Sequence, residues 1–144
     1  MFYEYDVVVP PNTPASAPVV VTALLTAGTL TNVSVQLPRG CQGLVHAYVQ
    51  DKLHRVVPAN QDGDIKGDDI VVPASEEYQV PTDDYELELA AYNLDDTYTH
   101  TVTFRLDVLP ASRAAEQQSA LNALLYLDKW FSQQTGAPAQ QGGG

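Results

Sequence analysis

The sequence predicts an all-β domain, an antiparallel sandwich or jelly-roll-like fold of about eight strands, with one amphipathic helix at its C-terminal end. Three observations predict it. Stretches of strand length with alternating apolar and polar residues recur between Tyr3 and Val108, turn-forming residues separate them at fairly even spacing, and the hydrophobic period lengthens only after Pro110.

Tyr3 to Val9 reads as the opening strand. Pro10, Pro11, Pro14 and Pro18 follow it; proline fixes φ and lacks an N–H, so residues 10–18 form a stiff extended arm. That places the first strand at a sheet edge or on a neighbouring subunit. Val19 to Leu25 and Leu30 to Leu37 are the next strands, the latter setting Val33, Val35 and Leu37 against Asn32, Ser34 and Gln36. Leu44 to Gln50 and Leu53 to Val57 flank the short turn Asp51-Lys52 and form a hairpin. Asp69 to Val72 is a further strand. Tyr85 to Leu89 and Tyr98 to Val108 alternate most clearly, with Thr99, Thr101, Thr103, Arg105 and Asp107 on the wet face of the second. The gap Asn93-Leu94-Asp95-Asp96-Thr97 is rich in residues that bend the chain by bonding their own backbone, so this pair is expected to be a second hairpin. The division is therefore residues 1–110 as sandwich, 111–135 as helix and 136–144 as a disordered tail.

The helix spans about Arg113 to Gln134, with Ser112 as N-cap, Ala115 where a capping box would have Glu or Gln, and Gly136 as left-handed C-cap. At about 100° per residue, Ala120, Leu124, Leu127 and Phe131 share one stripe, with Leu121 and Leu125 on one flank and Trp130 on the other. The apolar arc covers over half the circumference, whereas a helix lying on a sheet needs a stripe of only about 100°. Left in water, Leu121, Leu124, Leu125, Leu127, Trp130 and Phe131 would forfeit on the order of 10 kcal/mol. The helix is expected to pack on its own sandwich and on another chain, making these six residues the candidate interface. The alternative is a helix that caps an open end of the sandwich, with all six in one core.

Composition narrows the function. A chain of 144 residues with 44% hydrophobic content builds one core without metal or disulfide staples. Its 18 acidic residues against 7 basic ones give a formal charge of −11, a poor match for nucleic acid or anionic membrane. The lone Cys41 allows no intrachain disulfide. No apolar run has the length of a membrane span, and Glu4 and Asp6 stand where a signal peptide would carry positive charge. Cytoplasmic synthesis is expected, which is compatible with residence in a virus particle.

Candidate chemistry is sparse. Asp62, Asp64, Asp68 and Asp69 crowd one loop with Asn60, the residue types that hold a hard cation through oxygen. The spacing imitates part of an EF-hand, but the glycine is misplaced and Val71 stands where the bidentate Glu belongs. Asp and Gly accommodating the bends of a solvated turn explain the loop equally. His46, His54 and His100 would make a three-histidine, cupin-like metal site only if the fold converged them, and His100 between Tyr98 and Val102 suits a hydrogen-bonded core or interface position. Cys41 suits a buried structural thiol. No nucleophile elbow or phosphate loop occurs, Asp83-Asp84 and Asp95-Asp96 lie at turns, and neither catalysis nor a cofactor is expected.

Three segments, Leu37-Pro38-Arg39-Gly40-Cys41-Gln42-Gly43-Leu44-Val45-His46, Val57-Pro58-Ala59-Asn60-Gln61-Asp62-Gly63 and Tyr92-Asn93-Leu94-Asp95-Asp96-Thr97-Tyr98-Thr99-His100, resemble small β-sandwich proteins of tailed phage particles. The resemblance implies a capsid decoration, cement or tail-associated protein that sits in the virion and works as a homo-oligomer or by binding major capsid or tail proteins. The competing expectation is a binding module for carbohydrate or a host surface, with Tyr48, Tyr78, Tyr92 and Tyr98 as stacking platforms.

Overall fold

The structure, a computed structural model, describes residues 1–135. The expected C-cap at Gly136 and the expected tail at 136–144 lie outside the described residues. Among those described there are nine strands and one helix: β1 (Phe2–Val9), β2 (Val19–Leu25), β3 (Gly28–Leu37), β4 (Val45–Asp51), β5 (His54–Val57), β6 (Ile65–Lys66), β7 (Ile70–Val80), β8 (Tyr85–Asn93), β9 (His100–Pro110) and α1 (Ala111–Thr135). The chain divides into two units, Met1–Pro110 and the segment from Ala111 onward.

The first unit is an all-β sandwich of two antiparallel sheets. One has the order β1-β9-β3-β7; the other runs β2-β8-β4-β5, with β6 sharing the free edge of β4. Period two drives the architecture: each strand turns alternate residues inward, so Val7 and Val9, Val33 and Val35, Leu87 and Leu89, and Val102, Phe104, Leu106 and Val108 meet in one core with essentially no exposure. Where sequential strands lie in different sheets, the chain crosses over the core. The first crossing carries the proline arm from β1 to β2.

Three expectations are corrected by this topology, and the edge position expected for the opening strand is found. β8 and β9 do not form a hairpin, because β8 pairs with β2 and β4 while β9 pairs with β1 and β3. The connection between them is a crossover locked by Asn93, which is fully buried: its side-chain amide donates to the carbonyls of Val9 (3.2 Å) and Tyr98 (2.9 Å), and its oxygen accepts the Asp95 N–H (2.9 Å). The opening strand is an edge strand of its own sheet, and the arm after it is stitched to its own chain, Thr13 exchanging backbone hydrogen bonds with Asn93 at 2.9 Å in each direction. The turn of the β4–β5 hairpin is Lys52-Leu53, not Asp51-Lys52, since Asp51 pairs with His54; this leaves Leu53 90% exposed. Finally, the strand read at Asp69 to Val72 runs on to Val80 as β7, through Pro73, which an edge strand tolerates.

Gly28 opens β3 for a steric reason. A Cβ there would lie 2.1 Å from the carbonyl oxygen of Leu109, so no side chain fits where β3 meets the end of β9.

Candidate interaction surface

Helix α1 starts at Ala111, directly after the last residue of β9, and its composition changes along its length. Its first two turns are polar on nearly every side, from Ser112 and Arg113 through Glu116, Gln117, Gln118 and Ser119, and Gln118 donates to Asn122 one turn on at 3.0 Å. From Ala120 to Phe131 apolar residues take over and surround most of the axis. This corrects the amphipathic picture: apolar and polar residues separate along the helix more than across it, and Asp128 interrupts the apolar arc beside Leu121. Ordinary helix formers, Leu, Ala, Gln and Lys, fill the segment, so its backbone needs no tertiary support beyond the burial of those side chains.

The six candidate interface residues are all exposed in this chain: Leu121 48%, Leu124 63%, Leu125 59%, Leu127 49%, Trp130 45% and Phe131 58%. Tyr126 is exposed as well. Trp130 and Phe131 meet edge to face, centroids 5.0 Å apart, which groups two rings at one end of the apolar segment. Charge is absent from most of this surface. Arg113, Lys129, Glu116 and Asp128 are the charged residues of α1, two of each sign, so the helix is neutral and the whole −11 belongs to residues 1–110.

The acids of the loop are divided among separate positions. Asp64 points under the loop onto the outer face of the β2-β8-β4-β5 sheet, where it accepts the Tyr92 hydroxyl, pairs with Arg55 at 3.3 Å and lies 3.4 Å from Nδ1 of His46. Arg55 in turn sits over the Tyr48 ring at 3.2 Å and bonds Gln50 at 3.1 Å, while His46 stacks on Tyr92 with centroids 4.6 Å apart. Burial and the bond to Asp64 push the Tyr92 hydroxyl up to about 12. Asp68 accepts the Gly40 N–H at 2.7 Å, Asp62 accepts from Asn60 at 3.2 Å, and Asp69 turns the chain with a φ of 50°. The carboxylates of Asp62, Asp64 and Asp68 thus serve different partners, and among the described residues no three His, Cys, Asp or Glu side chains form a metal-holding group.

The three histidines also part company. His46 belongs to the Asp64 cluster, His54 is exposed at the start of β5, and His100 is buried with its Nε2 donating to Asp95 at 2.8 Å. That bond, with the N–H of Thr97, holds the Asp95 carboxyl below the usual carboxylate range. Cys41 is buried, donates to the Gly67 carbonyl at 3.0 Å, and burial raises its thiol pKa, which suits structure and opposes nucleophilic use. Of the four tyrosines proposed as stacking platforms, Tyr48 and Tyr92 are buried and Tyr78 gives its hydroxyl to Asp51 at 2.6 Å; Tyr98 remains open at 66% exposure. Asp51 accepts Tyr85 on the same oxygen at 2.6 Å and so ties β7 of one sheet to β8 of the other. Neither the Asp51 nor the Asp64 node was foreseen, because no local spacing marks side chains that meet from three separate strands.

Among the described residues no helix is long and apolar enough to cross a membrane. No protein-family model matches the chain, and no curated protein matches it either.

Proposed function

We propose that this chain is a non-enzymatic structural protein of a virus particle that works by assembly, as a capsid decoration, cement or tail-associated protein. Helix α1 joins it to further copies of itself, or to capsid or tail proteins. One observation carries the reading: six large apolar side chains, 45–63% exposed, are collected on one neutral helix of an otherwise strongly acidic chain. Contiguous apolar surface of this kind marks an interaction site, since singly scattered exposed residues need no explanation but a belt of them does. In the sandwich, Asp51, Asp64, Asp95, His46, His100 and Cys41 are taken up by internal partners. The likeness of the three segments quoted above to phage virion proteins supplies the setting.

Sedimentation velocity over a concentration series tests it. The full chain is expected to sediment above its 15.6 kDa monomer mass and to dissociate on dilution, while Leu124→Gln/Leu127→Gln, which keeps good helix formers, sediments as monomer. Identical association of the two proteins would remove the helix from the mechanism.

The ligand-binding alternative keeps one foothold. Tyr98 is 66% exposed, and Asn93, whose amide donates to the Tyr98 carbonyl, lines a cavity of about 230 Å³ with Asn12, Thr13, Pro14 and Leu94. Glycan-array binding lost in Tyr98→Ala would favour it.

A further inference from the structure

Resting on the assembly reading, we infer that α1 pairs with α1 of a second copy in antiparallel orientation, about a two-fold axis passing between Leu125 and Tyr126. The seam Ala120, Leu124, Leu127, Phe131 repeats at intervals of four, three and four residues, the spacing that keeps one line of side chains facing a neighbouring helix.

Residue size along that seam sets the direction. In an antiparallel pair, Ala120 faces Phe131 of the second copy and Leu124 faces Leu127, at both ends alike, so every layer holds nearly the same volume. On the flank, Trp130 covers Ala123 of the second copy by the same small-against-large rule. A parallel pair stacks Ala120 on Ala120 and Phe131 on Phe131, leaving a void in one layer and crowding in another. The interface is self-complementary, as a two-fold dimer requires.

Charge gives the same direction. The helix is neutral, so nothing electrostatic opposes its pairing, but each copy carries −11 on residues 1–110. Antiparallel pairing sets the two Ala111 positions, where the sandwiches attach, about 44 Å apart at 1.5 Å rise per residue. Parallel pairing leaves them about 10 Å apart, near the screening length of about 8 Å at physiological salt. The five side chains that face the second copy, Leu121, Leu124, Leu127, Trp130 and Phe131, expose together on the order of 500 Å², about 1,000 Å² over the pair, which reaches the size of a small specific interface. Leu125 and Tyr126 lie outside the seam and stay at the surface of the pair.

The test is a dipolar spin–spin distance on full-length Ser112→Cys carrying a nitroxide, with the unsubstituted chain, whose Cys41 is buried, as the labelling control. The expected distance is about 40 Å between the two labels. A distance below about 20 Å in a protein that still associates overturns the antiparallel arrangement and leaves the assembly reading standing; a protein that stays monomeric at every concentration overturns both. Substitution gives a second readout. Ala120→Phe sets Phe against Phe131 of the second copy and is expected to weaken dimerisation about tenfold, with Phe131→Ala added to it restoring most of the loss. Strengthening by Ala120→Phe alone, which fills the void of a parallel pair, overturns the inference.

Discussion

Replacing Asp64 by Ala separates an internal counter-ion from a cation ligand, and the structure sets the size of the effect. The Asp64 and Arg55 side chains are 18% and 16% exposed, so their pairing is largely desolvated. Breaking a buried pair by removing one partner costs about 3–5 kcal/mol when the other charge is stranded. Arg55 is not wholly stranded, because Gln50, the Gly63 carbonyl and the Tyr48 ring remain. Against that, the Tyr92 hydroxyl loses its acceptor in a buried position, worth about 1–3 kcal/mol. Together these give a loss of about 2–4 kcal/mol from the 5–15 kcal/mol typical of a single domain. Urea unfolding followed by circular dichroism reads this as a midpoint lowered by roughly 1–2 M at unchanged slope. Asp62→Ala, which removes only an exposed bond to Asn60, serves as the control and is expected to match the parent. An Asp64→Ala midpoint equal to that of the parent would refute the counter-ion argument. So would calcium raising the parent's midpoint by the amount the substitution removes.

Acid stability follows from Asp95. Its folded-state pKa lies below the ordinary value because His100 and the Thr97 N–H favour the carboxylate, so its contribution is complete above about pH 4 and is lost as pH falls through the depressed value. Asp95→Asn is therefore expected to lose less stability than the parent between about pH 5 and pH 2 in acid-unfolding curves, and equal losses would contradict it. At Gly28, a Cβ placed 2.1 Å from a backbone oxygen cannot be relieved by a side-chain shift. Gly28→Ala is expected to lose more than about 4 kcal/mol, seen as little folded protein and rapid proteolysis. An unchanged melting curve would show that β3 and β9 meet differently.

Much of this fold is legible in the residues. The alternation of Val102, Phe104, Leu106 and Val108 marks β9 because one face of that strand is buried and the other is wet, and the change of period after Pro110 marks α1 within a few residues. Pairing is not legible in the same way. Period two states which face of a strand is inward, not which strand lies beside it, so β8 and β9 read as a hairpin although a buried Asn93 carries the chain from one sheet to the other. The end of β8 was hidden because Ala90, Ala91, Tyr92 and Asn93 are buried on both faces and do not alternate. The later half of β7 was hidden by Pro73, Glu76 and Glu77, residues that suit an edge and disguise a strand. On the candidate surface, the six apolar helix residues could be named from a helical wheel. The Asp64 cluster could not, because it joins His46 and Tyr48 on β4, Arg55 on β5, a loop residue and Tyr92 on β8, and the acids of that loop look alike in the sequence.

Trp130 is the sole tryptophan of the chain and sits among the apolar residues of α1, half exposed, so its fluorescence reads the burial of that surface directly. The decisive measurement is acrylamide quenching of Trp130 across a dilution series of the full chain, with Leu124→Gln/Leu127→Gln in parallel. Association through α1 predicts that the indole is shielded and blue-emitting when concentrated, becoming quenchable and red-shifted on dilution, while the variant stays quenchable throughout. Quenching that does not change with concentration in the parent chain would contradict it.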